Sequence, residues 1–292
     1  MQQQIIGDIR IDTVLENSGM AVRFAEFLPG SNAEAIQAQR AWLEPHFAAV
    51  DQGLGFLAFH SYLIRTRHHT ILVDTCIGND KNRGGVPAFH QLRSGWLEHL
   101  QAHGVAPEQV DFVMCTHMHS DHVGWNTRLQ NGRWVATFPN ARYLFARREF
   151  EHRERAHAAD PAAGFGMFVD SVLPVVASGQ SQLIDSDFAL DDQLQLEPAE
   201  GHTPGNVLIH LRSAGAAAVL SGDVLHHPIQ VMYPEWSSQF CEDPLMSATC
   251  RRRFVETLAE RGSLVLPAHF PAPTAGRIVR QGARWRYDFV AA

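Results

Sequence analysis

Thr116-His117-Met118-His119-Ser120-Asp121-His122 follows directly on the apolar run Val110, Phe112, Val113, Met114, Cys115. The stretch sets three imidazoles and one carboxylate within six residues, a donor set that suits zinc or another borderline divalent metal. The run before it is interrupted only by Asp111, and its β-branched and aromatic content reads as a buried strand feeding the cluster. A strand that ends in a sharp turn can aim the side chains at i, i+2 and i+5 toward one point. The competing reading is a surface cluster in a chain with 17 His among 292 residues. Composition alone yields His-x-His-x-Asp-His roughly 0.003 times in such a chain, so accident is the weaker account.

Working outward, three more stretches end apolar runs with a donor. Glu200-Gly201-His202-Thr203-Pro204-Gly205 places a His in a Gly/Pro turn between Leu194–Leu196 and Val207–Leu211. Ser221-Gly222-Asp223 closes the run Ala216–Leu220, and Leu264-Val265-Leu266-Pro267-Ala268 leads to His269. Singly, each is more often a turn residue or a satisfied hydrogen-bonder. With the first cluster they make seven donors, enough for two metals.

These motifs, with Asp74 after Thr70-Ile71-Leu72-Val73, resemble the metallo-β-lactamase superfamily in order and type from about Phe56 to His269. The resemblance implies an α/β fold, the four-layer αββα sandwich. It implies that His117, His119 and His202 hold one metal, that Asp121, His122 and His269 hold a second, and that Asp223 bridges them. Asp74 matches a position that is usually structural. Two divalent ions are implied, zinc first, with manganese, cobalt or iron accepted by the same donors. Metals about 3.5 to 4 Å apart would share a bridging water with a pKa near roughly 7, giving a hydroxide nucleophile oriented by Asp121 and Asp223.

Lactonases of this superfamily commonly carry Tyr three residues beyond the bridging Asp, whereas Asp223-Val224-Leu225-His226 has His there. That arrangement resembles the methyl parathion hydrolase group. His226 and His227 are therefore expected in the pocket, with Trp236 and Phe240 as aromatic walls. The expected activity is hydrolysis of esters or lactones, with phosphotriester cleavage as a side activity or, as an alternative, the main one. A ligand-binding regulator on a retired hydrolase fold is the alternative of another class, but such regulators usually lose ligands, and all seven are present. Only 23 residues follow His269, too few for the glutathione-holding region of glyoxalase II-like thioesterases. The diiron oxygen-reducing relatives carry Glu where this chain has His119, together with a flavin domain.

A chain of 292 residues with 45% hydrophobic content can bury a sizeable core, and one domain spanning 1–292 is expected. The net charge of -7 argues against nucleic acid as a partner. Met1-Gln2-Gln3-Gln4-Ile5-Ile6-Gly7-Asp8 lacks a basic n-region, and no apolar run approaches the ~18 residues of a membrane span. No membrane association and a cytoplasmic location are the expectation. A homodimer is an analogy from relatives. Cys76, Cys115, Cys241 and Cys250 lack C-x-x-C spacing and read as reduced thiols.

Strands are expected near 56–66, 70–74, 110–115, 141–145, 194–196, 207–211, 216–220 and 264–266. A helix carrying Trp96, Leu97 and Leu100 should stop at Gly104, and another should run from the Asp243-Pro244 cap to Gly262. Two stretches fall outside this core. An N-terminal extension, about 1–55, should contain a helix over 33–42, and an inserted segment, about 146–180, opens with the charged run 147–153. That run reads as a solvated helix face. Phe165, Met167 and Phe168 read as packing residues or as a lid over an apolar substrate.

Overall fold

Leu72 and Val113 face one side of their sheet and Ile71, Val73 and Met114 the other, and both groups lie in apolar cores. A strand with two apolar faces needs a cover on each, which dictates layers. The computed structural model describes residues 3–290. Its first ten strands are β1 (Gln3–Ile6), β2 (Ile9–Arg23), β3 (Ala48–Ala49), β4 (Leu54–Arg65), β5 (Thr70–Val73), β6 (Phe112–Met114), β7 (Thr127–Gln130), β8 (Arg133–Ala136), β9 (Arg142–Ala146) and β10 (Ser181–Ile184). They are followed by β11 (Leu194–Pro198), β12 (Val207–Ser213), β13 (Ala216–Gly222), β14 (Leu264–Pro267), β15 (Gly276–Gln281) and β16 (Arg284–Phe289).

One sheet runs β1-β2-β4-β5-β6-β9-β10 with β3 beside β4, and the other runs β11 through β16 in order, while β7 and β8 form a separate hairpin. Between the two sheets lie Ile9, Tyr62, Ile64 and Leu144 against Leu194, Ile209, Leu220 and Leu266. Outside the first sheet pack Trp96 and Leu100 of the helix Trp96–Ala102, Phe150 of the helix Arg147–Ala159, and Val175. Outside the second, Phe254, Val255 and Leu258 of the helix Pro244–Arg261 cover Leu208, Val219 and Val265. The order is helix, sheet, sheet, helix, the αββα sandwich that the resemblance implied. The last helix starts where expected, with Asp243 accepting from Met246 N at 2.9 Å, and ends on Gly262 at φ 63°.

Besides the unexpected short strands β1, β3, β7, β8 and β10, three features depart from the sequence reading. β2 is 15 residues long and lines β4 from Arg10 opposite Arg65 to Arg23 opposite Leu54. Its register shifts between Leu15 and Asn17 and between Ser18 and Met20, which breaks the alternation that would have announced a strand. The helix expected over 33–42 is split into Ala33–Gln37 and Arg40–Leu43, because Gln39 at φ -102° and ψ 5° leaves the helical path. The hairpin β15–β16 extends the second sheet beyond His269.

What positions the site is strand direction. β5 and β6 are parallel, as are β13 and β14, so Asp74, residues 117–122, Asp223 and His269 leave the carboxyl ends of their strands. Open α/β sheets carry ligands at such ends.

On the far end, Asp12 is buried and accepts from Gln3 Nε2 at 2.9 Å, from Arg10 Nε at 2.8 Å and from Arg65. Burial alone would raise its carboxyl, but the hydrogen bonds of Arg10, Gln3 and Arg65 and the charge of Arg65 hold it below the ordinary carboxylate value. A depressed acid stabilises the fold above its unfolded pKa and loses that contribution as pH falls. Asp12→Asn should therefore cost about 1–3 kcal/mol in urea unfolding at pH 7. The gap between variant and wild type should narrow below about pH 4, and a gap that is constant with pH would refute the assignment.

Candidate metal centre

Asp74, at the end of β5, fixes the approach to the cluster. Its Oδ1 accepts from Thr116 N at 2.8 Å, and its Oδ2 accepts from Thr116 Oγ1 and from His122 Nδ1, both at 2.9 Å. A carboxylate can only accept, so His122 carries its proton on Nδ1 and turns the Nε2 lone pair inward. His269 is set the same way, with Nδ1 donating to Ala58 O at 3.0 Å. The Thr116 hydroxyl, already donating to Asp74, accepts from His117 Nδ1 at 3.2 Å and leaves Nε2 of that ring free. Gly222 lets Asp223 reach the same place. It sits at φ 46°, and a Cβ there would stand 2.8 Å from the Thr116 side chain.

Two groups of donors result. His117 Nε2, His119 Nδ1 and His202 Nε2 are 3.1, 2.9 and 3.1 Å apart. Each nitrogen is either a donor or an acceptor, so three in a triangle cannot all satisfy one another with protons. Three lone pairs on one cation resolve this, since the edge of a zinc–nitrogen tetrahedron is about 3.3 Å. In the second group, His122 Nε2 and His269 Nε2 are 3.2 Å apart, and Asp121 Oδ2 lies 3.8 and 3.7 Å from them. Asp223 stands between the groups. Its Oδ2 is 3.1 Å from His202 and 3.7 Å from His117, and its Oδ1 is 3.0 Å from His269 and 3.4 Å from His122.

The electrostatics ask for positive charge. Burial alone would raise the Asp223 carboxyl, but the imidazoles of His269, His122, His226 and His202 hold it well below the carboxylate range. Burial should lower His122, His202 and His269, yet the Asp223 carboxylate raises all three, His202 to about 9. Burial and neighbouring imidazoles keep His117 and His119 well below the ordinary value. Asp223 Oδ1 is buried and finds no hydrogen-bond donor among the described residues. A carboxylate oxygen facing inward-turned imidazole nitrogens fits divalent cations held in both groups.

The expected pocket residues separate. His226 belongs to the site: it is buried, lines the cavity, and sets Nε2 3.2 Å from Asp223 Oδ2. Burial pushes it down to about 3, so it is neutral. Phe240 is half exposed and lines the same cavity, of about 300 Å³. His227 and Trp236 do not line it. His227 bonds to Phe47 O at 2.8 Å and meets Phe24 edge-on, and Trp236 stacks on Tyr233 within another core. Both are drawn inward because their rings complete apolar packing.

The inserted segment carries more of the site than its composition suggested. Phe165 lines the cavity, while Met167 and Phe168 are buried in the core behind the first sheet. Gly164, Phe165 and Gly166 all have φ between 57° and 73°, and a Cβ on Gly85 would touch the Phe165 ring at 2.6 Å. Arg83 ties the turn down through Phe165 O at 3.0 Å and through both oxygens of Asp170 at 2.6 and 2.8 Å. Lys81, pushed down to about 7 by burial, lies 3.6 Å over the Trp134 ring beside them.

The charged run 147–153 is not wholly solvated. Glu149 is buried and accepts from Met118 N at 3.0 Å, Gly205 N at 3.1 Å and Arg153 Nε at 3.0 Å. It thereby ties the turn between His117 and His119 to the loop of His202. Gly205 makes this approach feasible, because a Cβ there would stand 2.3 Å from Glu149 N. Nothing in the sequence separation of 31 and 56 residues announces these bonds.

The family model described as metallo-beta-lactamase superfamily matches residues 54–283. Among solved structures, the chain is similar to AidC, a dizinc quorum-quenching lactonase in complex with a product, N-hexanoyl-L-homoserine. The TM-score is 0.80 at 19% identity, covering 100% of this chain and 97% of that one. It is also similar to the hydrolase AbOPH in the beta-lactamase superfamily, with TM-score 0.80, 21% identity, and 99% and 97% covered. A probable metal-dependent hydrolase from Staphylococcus aureus gives 0.78 at 20% identity, with 99% of each chain covered. At these identities the likenesses speak for the fold.

Glu149→Gln should weaken zinc binding by about 10–100-fold, because the new amide N–H₂ faces backbone donors and frees the two His loops. Competition of apo-protein with a chromophoric chelator reads this directly, and an unchanged affinity would mean that Glu149 does not organise the site.

Proposed function

The chain belongs to the metallo-β-lactamase superfamily and is a metal-dependent hydrolase, and from that premise we propose that it opens lactones and cleaves carboxylic esters at a dinuclear centre. His117, His119 and His202 would hold one ion, Asp121, His122 and His269 would hold the other, and Asp223 would serve both. The observation that carries this reading is the Asp223 carboxylate, with one oxygen toward each imidazole group and no proton donor on Oδ1 among the described residues. Zinc fits the imidazole-rich set best.

When bound, divalent ions supply Lewis acidity, which acidifies water and polarises a carbonyl. The chain's own residues do the rest. Asp121, the more open of the two site carboxylates, lines the cavity; with Oδ2 toward His122 and His269, its other oxygen, Oδ1, is the one that can take a proton. His226 stays neutral and donates from Nε2 to Asp223, which holds that carboxylate in register between the groups. Phe59, Phe89, Phe165 and Phe240 give the cavity apolar walls that exclude water and suit an acyl chain.

The acyl-homoserine lactone class is the first substrate to try. The product named for AidC belongs to it, and the walls accept its chain. A neutral imidazole stands at position 226 where a tyrosine hydroxyl would serve a lactone, which supports aryl phosphotriester cleavage as a side activity.

The test is kcat/KM of the zinc-loaded protein on an acyl-homoserine lactone, an aryl ester and an aryl phosphotriester in one buffer. Lactone or ester turnover should exceed phosphotriester turnover, and the reverse order would make the phosphotriester the main substrate. Asp223→Ala should lower every rate on the order of 100-fold or more with an unchanged circular dichroism spectrum. Undiminished activity at matched metal loading would refute the dinuclear mechanism.

A further inference from the structure

The second ring nitrogens of His117, His122 and His269 meet oxygen, from Thr116, Asp74 and the Ala58 carbonyl. His202 meets sulfur instead: its Nδ1 lies 3.6 Å from the Sγ of Cys241, 39 residues away in sequence. Because Nε2 of His202 faces His117 and His119, the ring proton belongs on Nδ1, which then donates to that sulfur. The thiol passes its own hydrogen to Ser247 Oγ at 3.2 Å, and that hydroxyl also accepts from Arg251 Nη2 at 2.8 Å. All four residues are buried, so each depends on the others for its hydrogen bonds.

The backbone holds this chain of groups in place. Glu242 N donates to His202 O at 2.9 Å and Asp243 N to Gly201 O at 3.0 Å, which pins the loop of His202 to the segment that carries Cys241. Gly201, at φ 124°, allows the approach, since a Cβ there would stand 2.2 Å from Ser247 N. Arg251 secures the far end, with Nε on Val224 O at 2.8 Å and Nη1 on Pro234 O at 2.7 Å. Val224 follows Asp223, so one buried guanidinium anchors both the loop of Asp223 and the partner of Cys241. Resting on the dinuclear reading above, we infer that Cys241 is a positioning residue: its sulfur fixes the proton and the ring plane of His202, so that Nε2 keeps its lone pair toward His117 and His119. Without that acceptor the ring is free to turn or to change tautomer, and the group of three nitrogens loses a member.

Three substitutions separate hydrogen bonding from packing. Cys241→Ser and Cys241→Ala leave similar space, but only the first offers an acceptor, while Cys241→Val fills the space and offers none. Zinc affinity of the apo-protein is read by competition with a chromophoric chelator. Cys241→Ser should stay close to wild type, whereas Cys241→Ala and Cys241→Val should each weaken one of the two equivalents by about 10–100-fold. The visible absorption of cobalt-loaded protein should change in Cys241→Ala and Cys241→Val and persist in Cys241→Ser. If Cys241→Val does not fold, the comparison of Ser with Ala decides the matter. Cys241→Ser as weak as Cys241→Ala, or Cys241→Val as tight as wild type, would overturn the role of Cys241, while turnover by the wild type would leave the hydrolase reading in place. A wild type that binds no zinc would overturn that reading and this inference with it.

Discussion

The interaction on which the rest depends is a buried carboxylate, Asp223, placed between two sets of imidazole nitrogens at 3.0 to 3.7 Å. A charge in that position is stable only with opposite charge on both sides. Each neighbouring feature serves to put it there or to balance it. Parallel β13 and β14 bring Asp223 and His269 to one edge, and parallel β5 and β6 bring Asp74 and residues 117–122 to the edge facing it. Gly222 removes the Cβ that would strike Thr116, and Asp74 and Ala58 O fix which nitrogens of His122 and His269 point inward. The sandwich is the frame that this geometry needs, since two sheets packed face to face present two rows of strand ends to one cleft.

Much of this was legible in the sequence because strand ends leave a local mark. An apolar run followed by a turn and a donor occurs at Asp74, His117, Asp223 and His269, and the loop of His202 reads the same way. The cap Asp243-Pro244 and the stop Gly262 are equally local, and both stand where expected. What stayed hidden depends on distance. β2 lost its alternation to two register shifts, and the helix over 33–42 broke at Gln39, whose backbone leaves the helical path. His227 and Trp236 have the composition of pocket residues, yet the core claimed both rings. Glu149 and Arg153 sit in a run whose charge reads as solvated, and only the fold shows that they are buried against loops far away in sequence.

The inserted segment is thereby joined to the chemistry at two points. Glu149 holds the loops that bear His117, His119 and His202, and Phe165 closes one wall of the cavity from a turn in which three successive residues take positive φ. That turn is held by Arg83, Asp170 and Lys81, groups that cost free energy to bury and that repay it by fixing geometry. Residues that vary freely in a loop would not need such anchors, so the segment is better described as part of the site than as a cover for it.

The central claim is that two ions, shared by Asp223, make the active enzyme. Titration of metal-free protein with zinc, following bound metal and turnover in the same samples, tests it most directly. Activity should rise to its plateau at two equivalents per chain. A plateau at one equivalent, or full turnover in protein stripped of metal, would contradict the account.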